Sequence, residues 1–149
     1  MDPSVVDRSE YNAESMVKAA WYTLHAALEN ETTQQKGIVF LVNLKTTLPR
    51  HFDRRLIQLL ASSIRGVLPV RVSAIHIIHA PYLFEVLFDV VSILLGERIT
   101  NRIKIYSDED IRQQLEDVGI HPNLLPLALG GEVEVDQSKW LAERERNGK

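Results

Sequence analysis

The stretch AIHIIHAPYLFEVLFDVVSILL, residues 74 to 95, constrains the fold more than any other. A β-branched apolar run reaches Pro81, which lacks a backbone donor and so closes a strand. A helix then starts at about Tyr82 and runs to Leu95, where Gly96 stops it. That helix is apolar almost all round, its polar positions being Tyr82, Glu85, Asp89 and Ser92. Such a helix is either buried in a core or covers something apolar that comes and goes. Glu85 and Asp89 share one face and mark the wet side. Leu83, Leu87, Val90, Val91 and Leu94 are then expected to point inward, with Phe84 and Phe88 on a flank.

The remaining elements set this unit in an α/β frame. An amphipathic helix is predicted from Ala13 to Leu28, capped by Asn12 and ended by the polar run ENETTQQKG. GIVFLVNL, residues 37 to 44, reads as a strand buried on both faces, as in a parallel sheet. The loop KTTLPRHF leads to a helix from Asp53 to Arg65 with Leu56, Ile57, Leu60 and Ile64 on one stripe. The second strand covers about 72 to 80. In the third, RIKIY, Ile103 and Ile105 alternate with Arg102, Lys104 and Tyr106, which predicts one buried and one polar face. Ser107, Asp108, Glu109 and Asp110 then signal a helix start, and Gly119 its end. Strands separated by helices of this length imply right-handed parallel crossovers. The expected fold class is therefore α/β, a mainly parallel β-sheet with βαβ crossovers flanked by helices.

Several chemistries are excluded or unsupported. The chain has no cysteine, which removes disulfides, thiolate nucleophiles and cysteine zinc sites. His76 and His79 lie three apart in a strand, point to opposite faces and cannot share a metal. No glycine-rich phosphate loop follows a strand, and no GxSxG elbow is present. Neither an enzyme, a cofactor nor a metal is expected. The net charge of −3 gives no pull toward nucleic acid. MDPSVVDRSEYN is too polar for a signal peptide, and the longest apolar stretch, Val86 to Leu95, is too short to span a bilayer. A cytoplasmic protein that meets membranes only from their surface is expected.

Three segments, in order and at this spacing, carry a resemblance. LPVRVSAIHIIHAPYLF looks like the strand and gate-helix entry of the CRAL-TRIO lipid-binding domain family. ERITNRIKIYS looks like that family's next strand, and LLPLALGGEVE like its closing Leu-Pro and Gly-Gly segment. GIVFLVNL resembles the family's earlier strand, with Asn43 where Asp is usual. The resemblance covers about residues 14 to 135. It divides the chain into a flexible N-terminus (1–12), a CRAL-TRIO-like domain (13–135) and a charged tail (136–149). The helical bundle that family members usually carry upstream is expected to be lacking.

The resemblance implies an apolar pocket with the sheet as floor and the helix 82–95 as gate. The expected wall is Phe40, Val42, Ile75, Ile77, His79, Leu83, Phe84, Leu87, Phe88, Val91, Ile103 and Ile105. Arg98, Arg102 and Lys104 are the headgroup or membrane candidates, and with Arg50, His51, Arg54 and Arg55 could form a local basic patch. Val70 stands where phosphatidylinositol-binding members carry an acidic residue. The implied partners are a lipid or hydrophobic small molecule, a transient membrane surface, and a protein partner or second copy. The alternative is a protein-interaction or membrane-targeting module that has lost lipid transfer.

Overall fold

The computed structural model describes residues 12–48, 51–66 and 69–149. They contain three parallel strands in the order β1-β2-β3, with β1 at Ile38–Asn43, β2 at Val72–Ile78 and β3 at Ile103–Ile105. The pairing register aligns Phe40 with Ile75 and Val42 with Ile77. Ile75 and Ile77 in turn align with Ile103 and Ile105. Aligned residues of a parallel sheet share a face, so these six side chains stand on one side. Leu41, His76, Ile78 and Lys104 stand on the other.

Helix α1, Ala13–Ala27, begins where the Asn12 side chain accepts hydrogen bonds from the backbone N–H groups of Glu14 and Ser15. Helix α2, Glu31–Lys36, lies within the polar run expected to be a connection. It has no buried residue and is held by local capping, the Asn30 side chain accepting from Thr33 N–H at 3.2 Å. With no apolar stripe, it left no periodic trace in the sequence. Gly37 then enters β1 at φ 91°, and a Cβ there would come within 2.5 Å of the Arg71 carbonyl oxygen. Only glycine fits that close approach of two backbones.

Helix α3, Arg54–Gly66, and helix α4, Phe84–Leu95, are the two crossovers. Both step in the same direction across the sheet, so right-handed connections place both on one face. They pack on each other there, and α3 also packs on α1. A short helix α5, Glu97–Thr100, leads into β3.

The sheet departs from two expectations. β1 was expected to be buried on both faces, yet Val39 is exposed. β1 is an edge strand, and only the central β2 is covered along its length. In the third strand Ile105 is 45% exposed while Tyr106, assigned to the polar face, is 8% exposed. The Tyr106 ring stays buried because its hydroxyl lies 2.6 Å from Nδ1 of His76.

The chain forms two compact units, one ending at Asp108 and the other beginning at Glu109. The expected 13–135 span thus holds parts of both. The second unit contains α6, Ile111–Asp117, two 3-10 turns, and α7, Gln137–Arg146. Asp110 precedes α6 in the left-handed region and makes no side-chain cap. Asp108, part of the predicted start signal, bonds His79 instead. Around the glycine pair, Leu127 N–H donates to Val133 O, and Val133 N–H to Leu125 O. A Cβ at Gly131 would collide with the Leu125 carbonyl at 2.1 Å, so this glycine is structural.

Candidate ligand site

The site is built where β1 and β2 end and α4 begins. Leu44, Ile77 and Phe84 form a buried cluster, with Val42, Ile75, Ala80, Phe88 and Ile103 packed against it. Six of the twelve expected wall residues therefore meet in one cluster: Val42, Ile75, Ile77, Phe84, Phe88 and Ile103. Phe40 shares their face by register. The rings of Phe84 and Phe88 sit 5.9 Å apart, one turn from each other, and both press toward the sheet.

This sets the rotation of α4 and corrects the expected one. Phe84 and Val91 are buried, and Leu87 and Phe88 are half-buried. Leu83 and Val90, expected inward, are exposed. The outer side also shows Tyr82, Val86 and Ile93, the last two 71% and 80% exposed. Glu85 and Asp89 are exposed as expected, but they leave a broad apolar arc, and within it the two large rings take the inner side because they bury most area. α4 starts at Phe84 rather than Tyr82, its first N–H donating to the Pro81 carbonyl at 2.7 Å.

Beside the cluster lies a narrow apolar cleft of about 40 Å³. Leu44, Thr47, Leu48 and Phe52 line one side, and Pro81, Leu83, Phe84 and Leu87 the other. Of these eight, Leu83, Phe84 and Leu87 were expected. Thr47, Leu48 and Phe52 were missed because a loop such as KTTLPRHF has no period that announces which side chains turn inward, and Leu44 and Pro81 because they were read only as strand ends. The volume is far below the roughly 300–1,000 Å³ of a ligand pocket, so in this structure the protein's own side chains occupy the sheet face. A second hollow of about 300 Å³ is polar and lies at the starts of α1 and α3, lined by Asn12, Ala13, Glu14, Asp53 and Arg55.

His79 stands just past β2 at φ 53°, a costly conformation for a side chain that is not glycine. Its Nδ1 lies 3.0 Å from Asp108 Oδ1, tying the turn before α4 to the segment after β3. On the opposite face His76 is buried, and its pKa is lowered, first by burial and then by the nearby Lys104 charge. Burial likewise raises the pKa of Tyr106.

The cationic candidates stand in different settings. Lys104 lies on the sheet face away from α4. Arg102 donates to the Val72 carbonyl, Arg98 is exposed, and Arg55 pairs with Glu14 at 3.0 Å. Arg50 lies outside the described residues. No helix among the described residues is long and apolar enough to cross a membrane.

A parallel sheet with an apolar crossover helix packed on one face is the arrangement that the strand and gate-helix segments imply. The family model of the CRAL/TRIO domain matches residues 1–131. The chain belongs to the CRAL/TRIO domain family. This is a family of lipid-binding domains. The domain is 28% identical over 125 residues to mouse (Mus musculus) tyrosine-protein phosphatase non-receptor type 9, covering 84% of this chain and 20% of that protein. It is 28% identical over 138 residues to mouse alpha-tocopherol transfer protein-like, covering 90% and 39% of the two chains. Rat (Rattus norvegicus) clavesin-2 is 26% identical over 129 residues, 84% of this chain and 38% of the relative. This CRAL/TRIO domain thus spans between a fifth and two fifths of the length of these relatives.

Proposed function

We propose that this CRAL/TRIO domain binds a hydrophobic small molecule or lipid, without chemical change, between α4 and the sheet, and exchanges it at membrane surfaces. The observation that carries the reading is the way α4 is attached. Its N-terminal half meets the sheet through apolar contacts, those of Phe84 and Phe88. Its polar ties to neighbouring helices lie at the other end, where Arg65 Nη2 donates to the Leu94 carbonyl at 2.9 Å and the Thr100 hydroxyl to that of Ser92 at 3.4 Å, while at its start the His79–Asp108 contact holds the turn that precedes it. A helix held this way swings from its C-terminal end, and the narrow cleft beside Leu83 and Leu87 is the seam that widens.

The energetics permit the exchange. Lifting two phenylalanines off the sheet forfeits roughly 1.5–3 kcal/mol each. A guest that buries ten methylenes returns roughly 8 kcal/mol at about 0.8 kcal/mol per CH₂. Binding needs no nucleophile, only apolar wall. The names of the tocopherol-transfer-like relatives support the same class of guest.

The close packing of Phe84 on Ile77, and the cleft of only about 40 Å³, favour a second reading. In it the domain is an interaction or targeting module with a permanently filled core. Native mass spectrometry after gentle purification, then after incubation with liposomes, separates the two. A co-purified or acquired lipid mass is expected. A clean apo mass under both conditions overturns the first reading in favour of the second.

A further inference from the structure

The outer side of α4 is left uncovered by the described residues. Leu83, Val86, Val90 and Ile93 recur there at three- and four-residue spacing, so they form one stripe of about 15 Å along the helix. All four are exposed, and the exposed Tyr82 extends the stripe at its start. The core takes Phe84 and Val91 from the opposite side and has no use for these. Single exposed apolar residues are ordinary, whereas a contiguous apolar stripe marks a contact surface.

The charges beside the stripe indicate what covers it. Glu85 and Asp89 stand one turn apart along one border, and both are exposed. Among the described residues neither carboxylate is in an ion pair. The helix itself carries no Lys or Arg, and the other border, Leu83 and Val90, is apolar. A second copy stacked antiparallel sets the two carboxylates against their own counterparts, and one stacked parallel sets them against the apolar border, so two-fold pairing is penalised either way. An anionic bilayer surface repels both as the stripe approaches it. An amphipathic helix with Lys or Arg beside its own apolar stripe satisfies both features at once. Apolar area leaves water at the centre, and the cations meet Glu85 and Asp89 at a wet rim.

We propose that the outer face of α4 docks a basic amphipathic helix of another protein. Helices interdigitate over the length they share, so about three turns of the partner cover the stripe. That face lies opposite Phe84 and Phe88, so docking there requires no guest beneath the helix.

The test titrates the full chain by calorimetry with three probes: an amphipathic peptide of leucine and lysine about 14 residues long, its leucine and glutamate counterpart, and phosphatidylcholine vesicles. The lysine peptide is expected to bind and the glutamate peptide not. Val86→Ser with Ile93→Ser removes two exposed side chains from the stripe and is expected to weaken the lysine peptide about tenfold or more. Glu85→Lys with Asp89→Lys is expected to exchange the preference, so that the glutamate peptide binds instead, and that gain also shows that the variant folds. Lysine-peptide binding that ignores the two serine substitutions overturns the proposal, since the peptide then sits elsewhere. A charge reversal that leaves the preference unchanged overturns it as well, as does the absence of binding by either peptide. Vesicles bound in preference to the lysine peptide overturn it in favour of a membrane. A dimer in sedimentation that the serine substitutions dissociate overturns it in favour of a second copy.

Discussion

His76 and Tyr106 form the most consequential polar contact in the sheet. The two are buried, with Nδ1 and the phenol oxygen 2.6 Å apart. Burial holds the phenol neutral, and burial with the Lys104 charge holds the imidazole neutral. A neutral imidazole can accept the phenol O–H at Nδ1. Tyr106→Phe keeps the ring and strands that nitrogen, so a loss of about 1–3 kcal/mol is expected from urea unfolding. The pH dependence has a definite sign. The folded His76 resists protonation below its ordinary pKa of 6.5, whereas the unfolded chain takes up the proton there. Stability from this group is whole above pH 6.5 and is lost as pH falls from there toward the folded pKa. The slope cannot exceed about 1.4 kcal/mol per pH unit for one proton. Lys104→Gln removes the second cause and is expected to flatten the slope. Urea midpoints that rise on acidification through this window, with carboxylate effects subtracted by a His76→Gln control, would contradict the assignment.

Helix α4 has two apolar sides with different duties, and substitutions should separate them. Phe84→Ala opens a void against Ile77 and Leu44, at an expected cost of about 3–5 kcal/mol. Ile93→Ser lies on the outer side, 80% exposed, and is expected to change stability by no more than about 0.5 kcal/mol. Equal losses in thermal unfolding would mean that the outer side is covered in solution. The same helix shows what a sequence conveys about an element. The break before it at Pro81 and its stop at Gly96 are written in single residues whose backbone chemistry is local, although the helix itself begins only at Phe84. So are the Asn12 cap and the three β-branched strands. The rotation of α4 was misread, since Leu83 and Val90 are as apolar as Phe84 and Phe88 and only the three-dimensional fit ranks them. Helix α2 escaped because it buries nothing. Thr47, Leu48 and Phe52 escaped because their meeting with Leu83 and Leu87 joins segments far apart in the chain, a contact no local pattern encodes. Tyr106 escaped because alternation assigns a tyrosine to the polar side, while its ring can be buried once the hydroxyl finds His76.

The two compact units make the effect of a guest separable across the molecule. Every residue lining the apolar cleft, Leu44 through Leu87, belongs to the unit that ends at Asp108. The chain's two tryptophans fall one to each unit, Trp21 in α1 and Trp140 in α7. Trp140→Phe and Trp21→Phe therefore give single-tryptophan proteins whose fluorescence reports one unit each. Among the described residues only Ile78, Leu115 and Leu125 are large side chains buried almost completely. A guest at a hundredfold excess over its dissociation constant adds about 2.7 kcal/mol to the state that binds it. For a chain of this size each kcal/mol moves the melting midpoint by about 2–4 °C. The Trp21 signal is thus expected to shift upward by roughly 5–11 °C with dodecanol at that excess. The Trp140 signal should shift less if the units melt separately, and by the same amount if they melt as one. Either outcome for Trp140 fits a guest held beneath α4. A Trp21 midpoint that stays fixed as the guest concentration rises through saturation does not, because a ligand that binds only the folded unit must stabilise it by mass action.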